Sequence, residues 1–269
     1  MCAVVREPAV AGHFYPGSPE ALLQAVRSYS PSSAEKIRAL GCMVPHAGYM
    51  YSGHVAGAVY GKVELPRRFI ILGPNHTGRG RPLAIMSHGA WQTPLGDANI
   101  DSELAEALKN AFPYLEEDDM AHRGEHAIEV QLPFLQEALG EFSFVPIALG
   151  TSHYPLLAGV GHAVVPLLKE KGAVMMIASS DMNHYEPDDI TRVKDAKAID
   201  RILALDARGL YDVILKEEIS MCGFGPAVAM LTAAGLLGAT SAQVVKYATS
   251  AEISGDYGAV VGYAGVAIT

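Results

Sequence analysis

The feature that most constrains this chain is a set of three short apolar runs, each breaking into a loop that carries histidine. Leu40–Val44 runs into Pro45-His46-Ala47-Gly48-Tyr49, Arg68–Leu72 into Gly73-Pro74-Asn75-His76, and Val174–Ala178 into Ser179-Ser180-Asp181-Met182-Asn183-His184. Apolar runs of this length without polar alternation are the pattern of strands covered on both faces. Helical stretches alternate with them. Ala21–Tyr29 follows Ser18 and Pro19 as cap and first-turn residues, and Ser52–Tyr60, Ser102–Ala111 and Ile128–Leu139 come next, the last with Pro133 near its first turns. Pro155–Lys171, Asp188–Leu205, Ala207–Glu217 and Pro226–Leu237 complete the set. Further strands are expected at Leu83–Met86, at Phe142–Ala148 and at the closing segments Val244–Ala248 and Val260–Ile268, with a hairpin around Trp91–Asp97. Ser28–Glu35 is the best loop candidate. The alternation predicts an α/β fold: a central, mainly parallel or mixed β-sheet covered by helices on both faces.

No repeat, low-complexity tract or linker divides the 269 residues, so one domain over residues 1–269 is expected. With 50% hydrophobic and 18% charged residues the chain is not of the disordered class. Its net charge of −9 and lack of a basic stripe exclude nucleic acid as an expected partner. Three cysteines, Cys2, Cys42 and Cys222, form no disulfide framework and fit a reducing compartment. The first residues lack a basic segment followed by a long apolar core, so no signal peptide is read and a cytoplasmic location is expected. Met221–Val245 carries no charge, but its glycines, Pro226 and hydroxyl residues favour a buried helix over a membrane span.

In open α/β sheets ligands bind beyond the carboxyl ends of the strands. His46, His76, Asp181 and His184 are therefore candidates to meet at one sheet edge. Imidazole is a good ligand for zinc, iron, copper and nickel. Cys222, in Met221-Cys222-Gly223-Phe224-Gly225-Pro226, precedes a helix start, where a thiol is either activated by the dipole or simply buried. Gly124-Glu125-His126-Ala127-Ile128-Glu129 opens a helix. Glu125 and Glu129 either complement that helix start or, with His126, support a metal-bound histidine from behind. The turn at His13-Phe14-Tyr15 is a candidate wall of the site mouth. His54, His88, His122, His153 and His162 read as surface or packing residues. No phosphate-binding loop, nucleophile elbow, HExxH pair or CxxC pair occurs.

The blocks REPAVAGHFYP, PHAGYMYSG, ILGPNHTG, TPLG, GEHAIEVQLPFLQ, SSDMNHY and CGFGP resemble the Memo family, called AmmeMemoRadiSam system protein B in prokaryotes. The resemblance implies a Memo-like domain with the fold of the class III extradiol non-haem iron dioxygenases. By motif it implies a metal set of His46, His76 and Cys222, with His184 as the acid–base residue and Asp181 orienting it. Where the ring-cleaving enzymes present a carboxylate, this chain presents Cys222, so the implied ion is a divalent or redox-active metal (iron, copper or zinc). Implied partners are a radical-SAM protein and an AMMECR1-like protein; eukaryotic members are linked to phosphotyrosine-peptide binding.

Three functions are expected from these readings. The first is a metal-dependent oxidoreductase acting on an unknown small molecule. The second is a peptide- or ligand-binding adaptor on a dioxygenase-like scaffold. The third is a metal-dependent hydrolase that activates water. The first reading also expects a hydrogen bond between Asp181 and the His184 ring.

Overall fold

Residues 69–72 of the second apolar run alternate between two cores. Phe69 and Ile71 pack on one face of the sheet, and Ile70 and Leu72 on the other. All four are fully buried. Two-sided burial is the physical reason the run shows no polar alternation. The computed structural model describes residues 4–31, 33, 35–170 and 173–269. Cys2, Ser32 and Ala34 of the expected loop, and Lys171 at the expected helix end, lie outside the described residues.

The sheet has twelve strands among the described residues. Its centre is parallel: Ser143–Leu149, Arg68–Pro74, Val174–Ser179 and Gly41–Val44 lie side by side in that order. Val260–Ile268 then adds antiparallel to Gly41–Val44, and Ala242–Thr249 pairs antiparallel with it. On the other side Gly96–Ile100 pairs parallel with Ser143–Leu149 and antiparallel with Ala90–Thr93. The sheet is therefore mixed with a parallel centre, as expected. Helices cover both faces. Tyr154–Glu170, Asp188–Leu203, Ala207–Lys216 and Phe224–Leu237 close one core, and Pro19–Tyr29, Tyr49–Lys62 and Leu132–Leu139 close the other.

Three departures from the expected elements bear on the site. The helix expected at Ser52 begins at Tyr49, after Gly48, so it starts within three residues of His46. The helix expected over Ile128–Leu139 is a 3-10 turn, Glu129–Gln131, followed by Leu132–Leu139. Pro133 sits in its first turn, where a missing N–H costs no helical hydrogen bond. The last buried helix starts at Phe224, two residues before Pro226, with Gly223 as its cap. Short strands at Val5–Arg6, Glu116–Glu117 and His184–Glu186 were not anticipated, because two or three residues establish no periodicity. Among the described residues no helix is long and apolar enough to cross a membrane. The uncharged helix Phe224–Leu237 has 14 residues, against about 20 for a bilayer.

Candidate functional site

The parallel strands deliver their loops to one edge. Gly41–Val44 leads to His46, Arg68–Pro74 to His76, and Val174–Ser179 to Asp181 and His184. These four residues, with His126, Cys222, Phe14, Tyr185 and Ser220, line one cleft of about 550 Å³. The four strand-end candidates meet as expected, and Cys222 joins them.

Three imidazoles form the cleft floor. The rings of His46 and His76 are 5.2 Å apart edge to face, and His126 stacks on His76 at 4.7 Å. One ligand atom from each of the three lies within 4.8 Å of the others. Cys222 Sγ is 3.2 Å from His46 Nε2. His126, expected behind the site, is part of the cleft floor, because Gly124–Ile128 crosses the strand ends as a loop. Gly73 permits that crossing: a Cβ there would sit 2.9 Å from Ile128 Cγ1.

Glu125 anchors the group from beneath. It is fully buried, and its Oε1 accepts from His76 Nδ1 at 2.9 Å and from the N–H groups of His126 and Ala127, both at 2.9 Å. Its Oε2 accepts the His76 N–H at 2.6 Å. Burial works against its charge, but the hydrogen bond and field of His76 hold the carboxyl down at about 2. Burial also opposes charge on His76; the hydrogen bond and charge of Glu125 outweigh it and raise that imidazole. Burial dominates at the other two rings. Burial, reinforced by repulsion from His76, pushes His46 down to about 3, and burial with repulsion from His46 pushes His126 down to about 4. Burial, then the nearby Asp181, pushes the Cys222 thiol well up.

Glu129, the other acid of that segment, serves the site at one remove. Its carboxylate takes Arg6 at 2.7 Å, the N–H groups of Ala9 and Val10, and the Tyr15 hydroxyl at 2.6 Å. These bonds fix the turn that brings Phe14 over His126 at 4.6 Å. His122, read as a packing residue, is fully buried and packs edge to face on Trp91.

The expected hydrogen bond between Asp181 and the His184 ring is corrected. Asp181 Oδ1 accepts the backbone N–H of His46 at 2.7 Å and of Ala47 at 3.3 Å. His184 instead directs Nδ1 at the Ser220 carbonyl, 2.9 Å away, and gives its backbone N–H to Ser220 Oγ at 2.7 Å. A three-residue separation put the two side chains near each other, but the nearer donors for the carboxylate are those of the His46 turn. Burial raises the Asp181 carboxyl, opposed by the His46 N–H and by any charge on His184. Ser220 gave no signal in the sequence. Neither did the conformation of Tyr185, whose φ of 61° is left-handed and whose side chain is exposed at the cleft.

The donors fit a transition metal. Tetrahedral zinc, with bonds of about 2.0–2.1 Å to nitrogen and 2.3 Å to sulfur, needs about 3.4 Å between nitrogens and about 3.6 Å between nitrogen and sulfur. The Cys222–His46 spacing of 3.2 Å is a few tenths of an ångström under the second value, and the three imidazole donors lie within 4.8 Å of one another. Imidazole and thiolate together suit zinc, copper and iron.

Fold and cleft define a class: mixed α/β proteins that gather a ligand site at the carboxyl ends of parallel strands. The family is Memo. The profile of the Memo-like protein family matches residues 6–267, and the chain belongs to it. It is 43% identical over 276 residues to a MEMO1 family protein of Methanopyrus kandleri, covering 97% of this chain and 98% of the relative. It is 44% identical over 275 residues to one of Pyrobaculum aerophilum, with the same coverage of 97% and 98%. It is 43% identical over 266 residues to one of Aquifex aeolicus, again over 97% and 98%. In fold it resembles the crystal structure of an uncharacterized protein from Escherichia coli K12, with a TM-score of 0.57 and 13% identity, over 86% of this chain and 100% of that one.

Proposed function

We propose that this protein is a metal-dependent oxidoreductase that uses iron or copper to act on a small molecule. The observation that supports this reading is the convergence of His46, His76 and His126 within 4.8 Å, with the Cys222 thiol 3.2 Å from His46. His46 and His76 are the principal ligands, and His126 and Cys222 flank them as further donors. A bound ion would supply Lewis acidity and one-electron chemistry. The rest falls to the chain itself. The Ser220 carbonyl can only accept, so His184 carries its proton on Nδ1 and keeps a lone pair on Nε2. That nitrogen, open to the cleft, is the base for a substrate proton. Phe14, Tyr185 and Val261 supply the apolar side of the cleft.

A binding protein without turnover is the second reading, favoured by the 79% exposure of Tyr185 at the rim. The experiment loads anaerobically purified protein with Fe(II) or Cu(I) and follows oxygen uptake with ascorbate or a catechol. Metal-dependent uptake that His184→Ala abolishes, with metal content unchanged, is expected. Metal bound without uptake supports the binding protein. Uptake unaltered in His184→Ala removes that residue's role.

A further inference from the structure

Behind His46 lies a chain of buried hydrogen bonds whose direction is fixed at two points. Gln131 Nε2 is 3.0 Å from the Pro45 carbonyl oxygen and 2.8 Å from Ser179 Oγ. Its Oε1 accepts the Tyr60 hydroxyl at 2.8 Å. A carbonyl can only accept, so the amide must turn its NH₂ toward Pro45, and the same NH₂ donates to Ser179. Ser179 Oγ is 2.6 Å from the Ala127 carbonyl oxygen, which takes its one proton. Both hydroxyl lone pairs remain. One receives Gln131, and the other faces His46 Nδ1 at 2.9 Å. Gln131, Ser179 and His46 are all essentially inaccessible to water, so none can exchange its partner for solvent.

We infer that Ser179, oriented by Gln131 and the Ala127 carbonyl, sets the tautomer of His46, placing the proton on Nδ1 and the lone pair on Nε2 in the cleft. The opposite tautomer would bring two lone pairs together at Ser179. Relieving that clash by rotating the hydroxyl would strip the Ala127 carbonyl of its partner, and a buried acceptor left unpaired is penalised. Cys222 Sγ, 3.2 Å from Nε2, is then the donor in the metal-free pair. His76 reaches the same state by a different route, since the Glu125 carboxylate at its Nδ1 is also an acceptor. The two rings thus present matching nitrogens, one held by a charge and one by a neutral hydroxyl. Partners of this kind orient metal-bound histidines. The consequence for metal affinity rests on the metal reading above, whereas the tautomer does not.

The test uses metal-free protein labelled with ¹⁵N-histidine, with His46 assigned by its loss in His46→Gln. Two-bond ¹H–¹⁵N spectra at neutral pH should show the Nδ1–H form in the wild type. Ser179→Ala should populate the Nε2–H form and lower Zn(II) affinity about 10–100-fold by calorimetry. Ser179→Thr, which keeps the hydroxyl, should restore both. An Nε2–H form in the wild type overturns the inference whether or not a variant folds, and so does an unchanged tautomer in Ser179→Ala. The Nδ1–H form in a wild type that binds no Zn(II) upholds the inference and refutes the metal reading.

Discussion

Glu125 holds His76 twice, taking Nδ1 at 2.9 Å through Oε1 and the backbone N–H at 2.6 Å through Oε2. One buried carboxylate therefore fixes both the position of the strand-end loop and the direction of the ring. In Glu125→Gln the oxygen is needed at the Oε1 position by three donors, so the NH₂ faces the backbone N–H of His76 and the strand-end loop loses its anchor. The expected result is a 10–100-fold loss of Zn(II) affinity by calorimetry. Glu125→Ala also strands four donors, and urea denaturation should show a loss of about 3 kcal/mol or more.

The Cys222 thiol is held protonated by burial and by the Asp181 charge. A metal binds thiolate, so uptake must release that proton. Calorimetry of Zn(II) binding in buffers of different ionisation enthalpy should show about one proton more released by the wild type than by Cys222→Ser. The variant should also lose affinity for Cu(I) and Zn(II) far more than for Mg²⁺. Equal proton release and equal affinities would remove Cys222 from the ligand set.

Acid should destabilise the metal-free protein. Free imidazole titrates near 6.5, whereas burial holds His46 at about 3 and His122 and His126 each at about 4. Below pH of about 6.5 the unfolded chain therefore binds more protons, and stability falls with pH by up to about 1.4 kcal/mol per unit for each ring. Asp195 acts oppositely. Burial raises it to about 6, so the folded state holds the extra proton between about pH 4 and 6, and that contribution is lost as pH rises through 6. His76 and Asp181, both raised, act in the same sense as Asp195, and the deeper depression of the three buried rings outweighs them. Denaturation at pH 7 and 5 should show a net loss on acidification, steeper in Asp195→Asn.

Gly223 sits where the Cys222 turn touches the third strand. A Cβ there would overlap the Ser179 carbonyl oxygen and the Ser180 side chain. Gly223→Ala should cost about 2 kcal/mol or more in urea denaturation. Gly225→Ala, whose Cβ would meet the end of the Leu157 side chain at 3.0 Å and the Thr151 carbonyl oxygen at an ordinary 3.9 Å, should cost clearly less.

The strands and the histidines behind them were legible because two-sided burial writes itself as an apolar run, and a strand's end fixes where the next residues emerge. His46, His76 and His184 were found in this way. His126 was misjudged because its loop crosses the strand ends from the side, and nothing local encodes that path. The Asp181–His184 contact failed for a related reason: proximity in sequence does not say which backbone donors arrive from another strand. Ser220, Gln131 and Ser179 act through hydrogen bonds spanning 36 to 133 positions, which spacing cannot reveal.

The proposal that His46 and His76 hold a metal is tested by crystals of anaerobically purified, metal-loaded protein, measured at the absorption edge of the ion. One ion is expected in the cleft, within about 2.0–2.3 Å of His46 Nε2, His76 Nε2 and at least one of His126 or Cys222. An empty cleft at metal concentrations above that of the protein, or an ion bound away from both histidines, would contradict it.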